Sequence, residues 1–156
     1  MKKLFSIGLP LVGLIVFSFA TAVVSDSELR SVLDDLLQQR TSILESAYTG
    51  ALSYEEVEAQ LPAYVAQPLL GQDLETLKDW GDSDYYDHVS DFRIDWCAKV
   101  SENDYGIVTR AKITWNMYDL EGEYDVTEEY LLVLEKGEQE GDYKLCEMNM
   151  RQRPYS

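Results

Sequence analysis

The order of apolar and polar residues divides the chain into an N-terminal apolar run, a helical stretch and a stretch of strands. From Ser25 onward the apolar positions recur every three or four residues. Leu29, Val32, Leu33, Leu36, Leu37, Ile43, Leu44, Ala47 and Tyr48 form one stripe, as an amphipathic helix requires. Arg40 interrupts that stripe, and a long arginine stem can still cover apolar surface. Ser25 with Glu28 makes a capping box for the first turn, and Ser53 with Glu56 repeats it for a second helix to about Leu61. Gly50 suits the left-handed residue that ends the first helix. After Pro62 and Pro68 a third helix is expected from about Gln72 to Trp80, stopped by Gly81.

Beyond Tyr86 the period changes to two. Phe92, Ile94, Trp96, Ala98 and Val100 alternate with Arg93, Asp95, Cys97 and Lys99. Ile107, Thr109, Ala111, Ile113, Trp115 and Met117 form the apolar side of a second strand. Tyr124, Val126, Tyr130, Leu132 and Leu134 do so in a third, and Lys144 to about Arg151 is the fourth. Each has one apolar face, as in an antiparallel sheet covered on one side. With Glu121-Gly122 as a tight turn, Met117 is expected opposite Val126, Ile113 opposite Tyr130 and Ala111 opposite Leu132. A slip of one residue would turn an apolar face to water. In the last strand Cys146, Met148 and Met150 are the expected inward set, with Tyr143 and Leu145 outside. The expected fold class is therefore α+β: N-terminal helices, the first one long, packed on a curved four-stranded antiparallel meander. Residues 25–81 supply the helical part and 85–151 the sheet of one domain.

Residues 1–22 stand apart. Lys2 and Lys3 precede the uncharged run LFSIGLPLVGLIVFSF, and Ala20-Thr21-Ala22 provides an A-x-A site for signal peptidase. Cleavage after Ala22 is the first reading, and an uncleaved anchor over residues 4–24 is the second, with the lysines held in the cytoplasm. Either reading exports residues 25–156 to the cell envelope or beyond, in a protein of bacterial type. The membrane enters only through this segment.

Charge narrows the partners. The 156-residue chain carries 13 Lys+Arg against 29 Asp+Glu, a formal charge of −16. Nucleic-acid binding is excluded, because phosphate neutralisation needs clustered cations. The acid collects at residues 82–91, 119–125 and 135–142. The hairpin tips can therefore dock a basic protein partner, or simply maintain solubility and block edge-to-edge aggregation. Arg110 or Lys112 can attract Glu129 across strands.

The order of helices and strands resembles the nuclear-transport-factor-like, or cystatin-like, α+β superfamily over about residues 26–151. That resemblance implies a long helix across a bent sheet, with a pocket between them. It spans isomerases, accessory domains and extracytoplasmic subunits of secretion and conjugation machines, so it selects no single function.

Candidate chemistry is sparse. Glu128 falls on the inward face of its strand, between Val126 and Tyr130 and opposite Trp115 in the expected register. A carboxylate among aromatics can serve as a general acid/base, with Tyr124 or Tyr130 as partner. The plainer reading has it reach water at the rim or pair with Arg40. Trp96, Trp115 and Met117 are expected to line a pocket. Asp82, Asp84, Asp87 and Asp91 gather around His88, but their spacing is not that of an EF-hand loop, so they are weak metal candidates beside a solvated acidic loop. A Cys97–Cys146 disulfide is disfavoured, since the two thiols fall on opposite faces of distant strands. No cofactor is expected. No nucleophile elbow, phosphate loop or zinc-helix motif is present, so an enzyme is not the leading reading. That reading is a non-enzymatic binding or accessory domain. The alternatives are an isomerase-like enzyme using Glu128 and a membrane-anchored subunit of a secretion or conjugation system.

Overall fold

The computed structural model describes residues 24–79, 87–139 and 141–151. Residues 1–23, which hold nearly all of the segment expected to be an export signal or anchor, lie outside the described residues, as do Trp80, Gly81, Asp82 and Asp84.

Among the described residues three α-helices precede the sheet: α1 (Asp26–Tyr48), α2 (Tyr54–Gln60) and α3 (Leu69–Asp79). Both capping boxes form. The backbone N–H of Ser25 donates to Glu28 at 2.8 Å and that of Ser53 to Glu56 at 2.8 Å. Each box satisfies amides that a helix start leaves unpaired. Gly50 takes φ 74° just past α1, a conformation open to glycine without a Cβ penalty. The third helix begins earlier than periodicity suggests, directly after Pro68.

The strands β1 (His88–Glu102), β2 (Gly106–Tyr118), β3 (Glu123–Lys136) and β4 (Tyr143–Met150) form one antiparallel sheet in the order β1-β2-β3-β4. The molecule is an α+β arrangement with a long first helix and an open meander. Leu29, Leu33, Leu37, Val57, Leu61 and Val65 pack with Ile94, Ile107, Ala111, Ile113, Leu132, Leu134 and Leu145 in one buried cluster. Each such leucine withdraws apolar surface worth about 2 kcal/mol from water. The segment after α2 also joins the sheet. Leu145 donates to the Tyr64 carbonyl at 2.9 Å, and Ala66 donates to the Leu145 carbonyl at 2.9 Å. Part of the β4 edge is thereby covered.

The register of β2 on β3 differs from the expected one by two residues. Met117 pairs with Tyr124, Trp115 with Val126, Ile113 with Glu128 and Ala111 with Tyr130. The cause is the turn. It uses the four residues 119–122 rather than two, and Asp119 Oδ1 accepts from the N–H groups of Glu121 at 2.7 Å and Gly122 at 3.1 Å. A two-residue shift keeps parity, so the apolar faces still coincide.

Bulges change parity elsewhere. β1 is irregular between Val89 and Asp91, Ile94 and Trp96, and Lys99 and Ser101. Phe92 and Ile94 face the helices as expected. Past Asp95 the face reverses: Cys97 pairs with buried Ala111 and packs on the core, while Trp96 pairs with Lys112 on the outer face. Trp96, expected in the pocket, instead lies 5.7 Å from the Arg110 guanidinium, ring centroid to Cζ. β4 behaves likewise. Leu134 pairs with Leu145 and Leu132 with Met148, so an extra residue sits between them. Tyr143 and Leu145 are buried, contrary to expectation, and Met148 packs on the core as expected. Cys146 is not part of that core. Both thiols are free and still lie on opposite faces, with the faces exchanged.

Candidate functional site

The arginine that breaks the α1 stripe is fixed by a carboxylate from α3. Arg40 Nε donates to Asp73 Oδ2 at 2.8 Å and a terminal nitrogen donates to Oδ1 at 2.6 Å. The pair is nearly dry, with 17% and 7% of the two side chains exposed. A two-pronged guanidinium–carboxylate contact fixes direction as well as distance. Sequence reasoning named Arg40 and missed Asp73. The available signal was an acid one turn after Leu69 and one turn before Leu77, on a helix face that is otherwise apolar.

One turn beyond Thr41, Glu45 ties α1 to the start of β1. It accepts from the Val89 N–H at 2.8 Å and lies 3.0 Å from His88 Nδ1. The His88 ring stacks on Tyr118 with centroids 4.8 Å apart. The only histidine of the chain thus meets a helix carboxylate. Among the described residues no group of three or more His, Cys, Asp or Glu side chains is placed to hold a metal. Asp91 Oδ1 instead accepts from the Phe92 N–H at 2.8 Å.

These two ties hold the C-terminal half of α1 above the sheet and leave a cavity of about 550 Å³ between them. From α1 the wall takes Arg40, Thr41, Leu44, Glu45 and Tyr48; from β1 it takes Val89, with Asp87 just before the strand. Trp115 and Met117 of β2, Tyr124, Val126 and Tyr130 of β3, and Met148 and Met150 of β4 complete it with Leu69. The expected pocket residues Trp115 and Met117, and both candidate tyrosines, therefore stand on one wall. Glu128 does not. Opposite Ile113 it is partly exposed, makes no hydrogen bond or ion pair among the described residues, and is not part of the lining. The two-residue register shift also removes Trp115 as its opposite partner.

No protein-family model matches this chain, and no curated protein sequence matches it.

Chemically the cavity is an aromatic and thioether chamber with hydroxyl groups. Trp115 Nε1–H donates to the Tyr130 phenol oxygen at 3.0 Å, and the two rings meet edge to face. Because that oxygen accepts from the indole, its own O–H remains able to donate elsewhere. Burial pushes the Tyr130 phenol up, against the smaller opposing effect of the Trp115 bond. Burial, reinforced by the Asp73 charge, pushes the Tyr48 phenol up to about 12. Desolvation raises Tyr124, and its hydrogen bond to Asp87 adds to the shift. All three phenols are therefore neutral hydroxyls at ordinary pH. Burial also raises both thiols, and neither Cys97 nor Cys146 lines the cavity.

At the other end of the sheet, acidic groups have structural partners. Glu102 lies 2.8 Å from Lys99 and 3.3 Å from Lys136, and the Lys99 contact chiefly holds its carboxyl below the usual range. Lys99 also donates to the Val24 carbonyl at 2.7 Å, pinning the entry to α1. On the outer face Arg110 approaches Glu129 at 3.4 Å, a half-exposed pair of small energetic weight. No helix among the described residues is long and apolar enough to cross a membrane.

Proposed function

We propose that this protein is an exported, non-catalytic accessory domain that binds one small molecule with an apolar body between α1 and the sheet. The cavity carries this reading. Its volume of about 550 Å³ falls within the range of small-molecule sites, which combine apolar walls with a few polar groups that orient the ligand. Leu44, Trp115, Met117, Val126 and Met148 supply the walls, and Thr41, Tyr48 and Tyr130 supply hydroxyls. Methionine suits such a chamber because its unbranched thioether adapts to ligand shape.

The helix-first element order supports placing the chain near the nuclear-transport-factor-like group, where a pocket in this position is common. Export rests on Lys2, Lys3, the uncharged run and Ala20-Thr21-Ala22. Binding is favoured over turnover because Glu128, the acid/base candidate, is not among the residues lining the cavity.

The test is a titration with N-phenyl-1-naphthylamine, a neutral fluorophore that brightens in apolar sites. Saturable uptake of one molecule per chain is expected, and Thr41→Phe, which fills the cavity from α1, should reduce it at least tenfold. Equal uptake by both proteins would refute the site. An N-terminus at Val23 on the cellular protein supports the cleaved, exported form. An intact Met1 would favour the anchored alternative.

A further inference from the structure

The wall of the cavity is not electrically neutral. Arg40 is its cationic side chain, and that charge is matched by the two-pronged contact with Asp73. Of the lining carboxylates, Asp87 is exposed and Glu45 lies 3.0 Å from His88. Four aromatic side chains, Tyr48, Trp115, Tyr124 and Tyr130, share the same wall. Aromatic rings present negative quadrupole faces, and an organic cation gains from them most when water is displaced. A neutral ligand without hydrogen-bond donors would gain nothing from the carboxylates, and an anion would be repelled by them. The chain as a whole, at −16, also draws cations toward its surface.

We infer that the ligand of this cavity is an amphiphilic organic cation, a quaternary or tertiary ammonium attached to an apolar body. This rests on the binding role proposed above and adds the charge class of the ligand. The apolar body lies against Trp115, Met117, Val126 and Met148. The ammonium sits toward Asp87 and Glu45, where β1 begins and α1 approaches its end. Asp87 is the exposed member of this pair and is hydrogen-bonded to Tyr124. Glu45 is held in place by the Val89 N–H and His88, so its charge contributes from a fixed position.

Three probes of matched shape separate the charge claim from the cavity claim: (1-naphthylmethyl)trimethylammonium, its neutral carbon isostere 1-neopentylnaphthalene, and 1-naphthylmethanesulfonate. Calorimetric or fluorescence titration of the full chain should rank them cation, neutral, anion. The cation is expected to bind about tenfold tighter than the neutral isostere, the span of a desolvated cation–aromatic contact. Asp87→Asn should narrow that ratio about threefold, and 0.5 M salt should narrow it too. If the neutral probe binds as well as the cation, the charge claim falls and the cavity reading stands. If none of the three binds, both fall. If the cation binds best but Thr41→Phe leaves its affinity unchanged, the cation sits on the acidic surface, and the inference is overturned.

Discussion

Arg40, on the cavity wall, is tied to α3 through Asp73. Removing one partner of a nearly buried ion pair leaves the other charge dry and unmatched, which costs about 3 kcal/mol. Asp73→Ala should therefore lower the urea midpoint strongly. Replacing both side chains by apolar ones should recover much of the loss. Equal destabilisation by the single and double variants would show that the pair is not the cause. Tyr48, beside this pair, gives a pH signature. Its phenol titrates near 10 in the unfolded chain and is pushed up to about 12 in the folded one. Between those values the unfolded state has lost a proton that the folded state keeps. Its stabilising contribution is thus complete below pH 10 and lost as pH rises toward 12. Tyr48→Phe should flatten the alkaline arm of stability against pH, read by denaturant melts from pH 9 to 12. An unchanged arm would assign the dependence to other tyrosines.

Among the helices and strands, Gly106 and the two serine caps carry clear sequence-to-stability links. A Cβ on Gly106 would lie 2.0 Å from the Leu134 carbonyl oxygen, an atom of the sheet backbone that cannot swing aside. Gly106→Ala should cost about 2–3 kcal/mol, the upper range of overpacking. Ser53→Ala, which removes the α2 cap, should cost about 1 kcal/mol. Thermal melts of both variants check these values, and a Gly106→Ala cost below that of Ser53→Ala would contradict the close approach.

The same elements explain what could be read from the chain beforehand. The caps, the α1 stripe and the order of four strands were legible because each depends on local spacing. Trp96, Tyr143, Leu145 and the cysteines were misplaced because parity is counted along an unbroken pleat, and bulges near Asp95 and Cys146 reverse it. Nothing local announces those bulges. Glu128 lost its expected partner through the length of a turn, where the side chain of Asp119 favours a four-residue loop. Trp115, Met117, Tyr124 and Tyr130 were assigned inward, and all four line the cavity. The α1 contribution of Thr41, Glu45 and Tyr48 depends on how the helix sits on the sheet, and helical spacing alone does not specify that.

At the scale of the whole molecule, the two ends of α1 serve different purposes. Its start is pinned through Val24 to Lys99, near the β1–β2 hairpin. Its last turns, about 30 Å away along a 23-residue helix, roof the cavity. A chain entering from residues 1–23 therefore meets the domain at the end remote from the proposed ligand. The chain's methionines follow this division. Met117, Met148 and Met150 line the cavity, and the remaining one is Met1. Carbon-13 methyl labelling of methionine thus places three reporters on the wall itself. The most direct test is a methyl correlation spectrum during titration with N-phenyl-1-naphthylamine. The expected result is saturable shifts of Met117, Met148 and Met150 at one equivalent, with the Trp115 indole signal moving and that of outer-face Trp96 still. Unmoved methyl signals at saturation, or shifts no larger than that of Trp96, would contradict a binding cavity between α1 and the sheet.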